Sequence, residues 1–259
     1  MIDLFIDMGN SRIKFAVCKS DDYEYLGAFS VDEIQPQQIL VDLLADFKLN
    51  PDQIFVSSVA SVQIEQSLRE AIASVWSVFP VFLTTQLNCC GLDNGYESPL
   101  TLGVDRWMAM VAANNMCKQP FLVIDAGTAI TVDAVCAGRH LGGFIVPGLT
   151  TMRESLGLNT ANLDSSCTGM VEDSGEDAQE SLFATNTQAG ICGGTLYMAG
   201  AFIDASVAEF EYKVGSEIKV FVTGGDGLTL SRLIQARTEY VEDLVLLGMM
   251  DVKESVKKS

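Results

Sequence analysis

Two segments of this chain place an acidic residue where an apolar strand ends. In "FIDMGNSRIKFAV" (residues 5–17) Asp7 follows Phe5 and Ile6 and precedes Gly9, Asn10 and Ser11; in "FLVIDAGTAITVDAV" (121–135) Asp125 follows Val123 and Ile124 and precedes Gly127 and Thr128. Each segment then returns to β-type residues, so each reads as strand, tight turn, strand. Such a turn suits an anion: glycine lets backbone N–H groups approach a ligand closely, and successive N–H groups in a tight turn form an anion-binding nest. Asn10, Ser11 and Thr128 add side-chain donors, and the Lys14 ammonium suits phosphate as a point charge. An aspartate facing phosphate directly would be repelled, so Asp7 and Asp125 suit a cation or a water held on one. Asp and Asn are also ordinary turn formers. The repetition favours the phosphate reading, and a copy about half a chain away suggests two related domains that open with the same hairpin.

A third carboxylate lies in "ESPLTLGVDRWMAMVAANN" (97–115), which passes from loop to helix at Asp105. One reading makes Asp105 an N-cap, a position that favours Asp. The other sets its carboxylate beside a bound alcohol, with Arg106 available for an anionic group. The residues leave both open. "IKVFVTGGDG" (218–227) is a strand feeding a glycine turn, which could seat a nucleobase or ribose. The acidic residues Glu172, Asp173, Glu176, Asp177 and Glu180 read as a solvated loop, the lone His140 as a loop residue, and "KESVKKS" at the end as a frayed tail.

Composition excludes several classes. With 34 Asp and Glu against 16 Lys and Arg, the net charge of −18 argues against nucleic acid as a partner. An anionic substrate must then be captured by local donors. One histidine among 259 residues leaves no zinc spacing and no histidine-dependent hydrolase triad. No Gly-Lys pair occurs, which excludes a P-loop, and no G-x-G-x-x-G follows a strand. The seven cysteines include no C-x-x-C pair and read as reduced thiols, mostly small core residues. No run approaches the roughly 18 apolar residues of a membrane helix and no basic leader opens the chain, so neither membrane partner nor export is expected, and the cytoplasm is.

The elements that must carry these residues alternate. Residues 36–48 and 62–79 have helical spacing, and "QIFVSSV" (53–59) and "PVFLT" (80–84) read as short buried strands between helices. "GGFIVPGLTTMRESL" (142–156) reads as strand, turn and helix, and 187–208 as a helix with small residues along one side. The result is an α/β fold with a boundary near residue 118, giving domains 1–118 and 119–259.

Five groups of residues fall in the order of the motifs of type III pantothenate kinases. They are Asp7, Met8, Gly9, Asn10, Ser11, Arg12, Ile13 and Lys14; Gly103, Val104, Asp105 and Arg106; Asp125 to Ala129; "GGFIVPG" from Gly142; and Thr223 to Asp226. The chain resembles that family over nearly its whole length. The family belongs with acetate and sugar kinases, Hsp70 and actin. The resemblance therefore implies two ribonuclease-H-like (actin-like ATPase) domains with ATP in the cleft between them, and a homodimer formed through the second domains. It implies ATP-dependent phosphorylation of pantothenate to 4′-phosphopantothenate, the first step of coenzyme A synthesis, with Mg²⁺ and a monovalent cation, K⁺ or NH₄⁺. By the same resemblance Asp105 is the base toward the pantothenate hydroxyl, residues 7–14 and Thr128 bind ATP, and Asp125 binds the monovalent cation. Pantothenate contacts map to Tyr96, to Gly103, Val104, Asp105 and Arg106, and to Thr187. Ser11 stands where threonine is usual, and Gly190 where a larger residue is common. The alternatives are a kinase for another small molecule and a non-catalytic regulatory relative, a transcriptional accessory factor. An inactive binder should have lost Asp7, Asp105 or Asp125, and all three are present.

Overall fold

Side chains alternate across a strand, and in residues 2–8 both sets are used. In the computed structural model, Leu4, Ile6 and Met8 enter one core, while Phe5 stacks on Phe55 and Asp3 pairs with Lys253 on the opposite face. A strand covered on both faces loses the clean alternation of polar and apolar residues.

The structure describes residues 1–20, 22–34, 37–159 and 183–257. In chain order they form β1 (Ile2–Met8), β2 (Arg12–Lys19), β3 (Asp22–Ser30), α1 (Val31–Ile34), α2 (Gln37–Asp46), β4 (Gln53–Ser58), α3 (Val62–Val75), β5 (Pro80–Phe82), β6 (Asn88–Cys89), β7 (Leu92–Asp93), α4 (Val104–Met116), β8 (Phe121–Ala126), β9 (Ala129–Cys136), β10 (Arg139–Pro147), α5 (Leu149–Asn159), α6 (Thr187–Val214), β11 (Lys219–Thr223), α7 (Gly227–Leu233), β12 (Thr238–Tyr240) and α8 (Leu244–Lys257). The α/β alternation expected from the sequence is present, with the anticipated helices at 37–46 and 62–75 and strands at 53–58 and 80–82.

These elements divide into two compact units that interleave along the chain. The first holds residues 1–123, 133–142 and 243–259, the second 124–132 and 143–242. Sequence reading drew one boundary, 1–118 against 119–259; in these units the second half of β9, the first half of β10 and the last helix go with the first. The physical reason lies in α8. Lys253 is buried against Asp3 of β1, and Tyr23 donates to Asp243 at the start of that helix. A buried charge needs its partner beside it, which ties the C-terminus to the first strand. "KESVKKS" is accordingly not frayed at its start: Lys253 is 8 % exposed and α8 continues to Lys257.

The first unit is built on a five-stranded sheet in the order β3-β2-β1-β4-β5. β1 pairs antiparallel with β2 and parallel with β4, and a bulge at Phe15/Ala16 bends β2 against β3. α2 and α3 cover one face through Leu40, Leu44, Leu68 and Ile72, which pack on Leu4, Ile6, Phe15 and Val56. Packed beside α8, α4 is buried from Arg106 through Asn114.

A seven-stranded sheet has the order β12-β11-β8-β9-β10-β7-β6, with β11 and β12 parallel, and α5, α6 and α7 of the second unit pack in series. By length and composition α6 is apolar enough to cross a membrane, with a third of the stretch buried (33 %). The sequence expectation concerned a continuous apolar run, whereas α6 passes on its average, with glycines and polar residues interspersed among its apolar ones. Five cysteines (18, 89, 90, 117 and 136) are free thiols as expected, but Cys192 on α6 is disulfide-bonded. Sulfur pairing depends on a distance that sequence does not encode. The acidic stretch 172–180 lies outside the described residues.

Candidate active site

Helix α4 starts one residue before the carboxylate that matters. Gly103 is its N-cap and Val104 its first residue, so Asp105 is the second and not the cap. The Asp105 Oδ1 accepts the backbone N–H of Arg106 at 2.7 Å. That places a negative charge in the first turn, where the helix dipole favours it. The Gly103 position leaves no room for a side chain, since a Cβ there would stand 2.6 Å from Asp105 Oδ1. Asp105 retains partial access to the surface, yet protein encloses its carboxyl. Burial pushes its pKa above the ordinary carboxylate value, aided by the nearby Asp133 charge and opposed by the Arg106 N–H and guanidinium.

Arg106 points into a buried polar cluster. Its Nε donates to Asp133 Oδ2 at 2.8 Å and its Nη2 to Asp133 Oδ1 at 2.5 Å, a bidentate pair; its Nη1 donates to the Tyr96 hydroxyl at 2.9 Å. Burial alone would weaken the guanidinium charge, but the hydrogen-bonded Asp133 carboxylate outweighs it and holds the Arg106 pKa above its usual value. His140 Nε2 lies 3.0 Å from Asp133 Oδ1, and the Tyr96 ring stacks on the imidazole with centroids 5.7 Å apart. The loop that carries Tyr96 is fastened by Asn94. Its side-chain amide donates to Gln86 O and Pro99 O, and its Oδ1 accepts the Tyr96 N–H.

The first hairpin turn belongs to the same unit. Asp7 at the end of β1 stands directly opposite Lys14 of β2, and the Gly9 N–H closes the turn onto Arg12 O at 2.9 Å. That glycine amide is therefore spent inside the turn and is not part of an anion nest. Asn10, Ser11 and Arg12 are exposed, whereas the side chains of Met8 and Ile13 are core residues and offer a ligand only their backbone.

The second hairpin turn lies in the other unit, with a matching bond from Gly127 N–H to Ala129 O at 2.9 Å. Two separate segments converge on it. Gly148, just before α5, donates its N–H to Thr128 O at 2.9 Å, and Thr151 Oγ1 donates to the same oxygen at 2.7 Å. The "TGGDG" turn after β11 docks through the Asp226 N–H on Ala126 O. Its Gly224, at φ +91°, passes so close that a Cβ would lie 2.5 Å from both Ala126 O and Asp125 Oδ1. Asp125 is thus set among backbone groups as a hard oxygen donor, the chemistry of a cation ligand rather than of a phosphate contact. Thr187, the first residue of α6, is exposed in this unit, with the preceding Asn186 capping the helix by accepting the Ala189 N–H at 2.8 Å.

The structure therefore brings Tyr96, Gly103, Val104, Asp105 and Arg106 together, and keeps Asp125 and Thr128 in one turn. Sequence reading missed Asp133 and misplaced His140, which is no loop residue but a wholly buried part of β10. The signal for Asp133 was visible: like Asp7, it interrupts the apolar run "ITVDAV".

A family profile described as type III pantothenate kinase matches residues 3–209. A type III pantothenate kinase of Hydrogenovibrio crunogenus is 40% identical over 256 residues, covering 98% of this chain and 99% of that protein. Among solved structures, a conserved Baf family protein from Campylobacter jejuni superposes with a TM-score of 0.58 at 22% identity, over 99% of this chain and 100% of that one. MreB 5 of Spiroplasma citri, solved with AMPPNP bound, gives 0.50 at 12% identity over 99% and 97%. At such identities the likeness is one of fold, and the fold is that of the actin-like ATPases.

Proposed function

The chain belongs to the type III pantothenate kinase family, and from that premise we propose that Asp105 is its catalytic base while Arg106 and Tyr96 receive the acid end of the substrate. The reaction is transfer of the ATP γ-phosphoryl group to pantothenate in coenzyme A biosynthesis. The observation that carries the assignment is the Asp105 carboxyl, enclosed in the first turn of α4 with its proton affinity raised by burial. A base of raised pKa takes a proton more readily than an ordinary carboxylate.

Phosphoryl transfer passes through a loose transition state, so the protein contributes mainly positioning and charge stabilisation. Asp105 orients the pantothenate hydroxyl. As the oxygen bonds to the γ-phosphorus and the bond to the β,γ-bridging oxygen breaks, the hydroxyl proton passes to the Asp105 carboxylate and ADP leaves. The unspent N–H groups of Arg106 suit the pantothenate carboxylate. Gly103, Val104 and Thr187 complete the pantothenate contacts. Residues Asp7 to Lys14 and Thr128 hold ATP, with Lys14 toward its phosphates.

Two cations fit the residues present. Asp7, a partly exposed carboxylate at a strand end, suits an Mg²⁺ that neutralises phosphate charge. Asp125, in its backbone setting, suits a monovalent cation, K⁺ or NH₄⁺. A homodimer would cover exposed apolar side chains of the second unit, among them Ile145, Leu158, Tyr197 and Met198. Because ATP is its phosphoryl donor, we place the enzyme in the cytoplasm.

Release of ADP by the purified chain, with Mg²⁺ and K⁺ present, is the direct test. Release that requires pantothenate, with a phosphorylated product by mass spectrometry, is expected. Release that ignores pantothenate would overturn the reading, and no release despite pantothenate binding would favour the regulatory alternative.

A further inference from the structure

We propose that Asp133 and His140 are positioning residues for pantothenate: a buried clamp that presents the Arg106 guanidinium and the Tyr96 hydroxyl to the substrate's carboxylate. The proposal rests on the reading that Arg106 and Tyr96 contact pantothenate.

A guanidinium has five N–H donors in a planar fork. In this structure Asp133 takes the side edge, through Nε at 2.8 Å and Nη2 at 2.5 Å, and Tyr96 takes one Nη1 hydrogen at 2.9 Å. One N–H on Nη1 and one on Nη2 make no hydrogen bond among the described residues. Each terminal nitrogen thus keeps one donor available to a second carboxylate. A bridge serving the fold alone gains nothing from leaving two donors of a 6 % exposed arginine unmet, since an unmet buried donor is costly. Left for a ligand, the same two donors are already desolvated and aimed.

Asp133 is itself held. Its carboxylate is 1 % exposed, and His140 Nε2 reaches Oδ1 at 3.0 Å. An ionised carboxylate only accepts, so the imidazole proton sits on Nε2. His140 Nδ1 is then left buried without a hydrogen-bond partner. That arrangement forfeits one hydrogen bond on the imidazole. Its other face explains the choice, because the Tyr96 ring lies stacked on it at 5.7 Å, with 19° between the planes. His140 therefore fixes Asp133 by a hydrogen bond and Tyr96 by contact, and both act on Arg106. The four residues come from β9, β10, the loop before α4 and α4 itself, all within the first unit.

The experiment compares steady-state kinetics of the full chain and its Asp133→Asn, His140→Leu, His140→Gln and Arg106→Ala variants, with thermal melting as a check of folding. Asp133→Asn should raise the pantothenate KM roughly 10- to 100-fold, as misplacement of a binding group does, and leave the ATP KM within about twofold. His140→Leu should show the same split, while His140→Gln, whose amide can donate where Nε2 does, should restore most of the pantothenate affinity. A folded Asp133→Asn with unchanged pantothenate KM, or equal rises in both KM values, would overturn the proposal. If Asp133→Asn does not fold, the leucine and glutamine variants decide, and equal pantothenate KM values in those two overturn it. Arg106→Ala separates this outcome from the premise: an unchanged pantothenate KM there removes the assignment of Arg106 itself.

Discussion

Asp7 and Lys14 are direct cross-strand partners in the antiparallel ladder of β1 and β2. Directly opposed residues project to the same face of a sheet, so the carboxylate that ends one strand and the lysine that interrupts the next form one feature. By the alternation of β1 that face is the one bearing Asp3 and Phe5, away from the core made by Leu4, Ile6 and Met8. On that face Asp7 and Lys14 are both half-buried.

Replacing Asp105 by Asn keeps the shape of the side chain and removes the base. General-base assistance is worth about 10²–10⁴ in rate, so kcat should fall by that factor while ATP affinity changes little. Turnover at the wild-type rate would remove Asp105 from the chemistry.

The same substitution should stabilise the unliganded protein at neutral pH. Burial raises the Asp105 pKa above its unfolded value, so the folded state holds the proton more tightly. The contribution of this group to stability is fully present below the unfolded pKa and is lost as pH rises through the folded one. Melting temperatures across pH 3–8 (roughly the range of carboxylates and just above) should therefore show Asp105→Asn overtaking wild type as pH rises. In kinetics, the acid limb of kcat/KM for pantothenate should lie above the ordinary carboxylate range and vanish in the variant.

Gly103→Ala should damage catalysis more than folding. The added methyl would meet Asp105 Oδ1 at 2.6 Å and push the carboxylate aside. A displacement of this order can cost about 10²-fold in rate. Activity reduced to that extent, with a near-normal melting temperature, is the expected pair of measurements.

Exchange of K⁺ or NH₄⁺ for Na⁺ should abolish turnover. Full activity in Na⁺ alone would count against Asp125 as the cation ligand. Gly224→Ala, which puts a Cβ 2.5 Å from Asp125 Oδ1 at a backbone φ of +91°, should weaken the response to K⁺.

The dimer is tested by light scattering. Ile145→Glu combined with Tyr197→Glu puts charges at two apolar positions that are 61% and 66% exposed. If these positions lie in the interface, burial of unpaired charge should give a monomer; an unchanged mass would place the interface elsewhere.

The amino-acid sequence by itself determined the α/β layering, the two hairpins with their terminal aspartates, and the segments that carry Asp105 and Arg106. Those are local matters, set by periodicity and turn chemistry within a dozen residues. Only the tertiary structure decided the rest. Asp105 reads as a candidate helix cap until Gly103 is seen to cap α4, which leaves Asp105 in the first turn with a carboxyl whose pKa burial raises. Asp133 and His140 are unremarkable along the chain, and become a clamp on Arg106 when β9 and β10 lie beside α4. Lys253 reads as part of a charged tail until it is found buried on Asp3. Each of these depends on residues distant in sequence, because an electrostatic environment is a property of what surrounds a group in space, and neighbours along the chain say little about that.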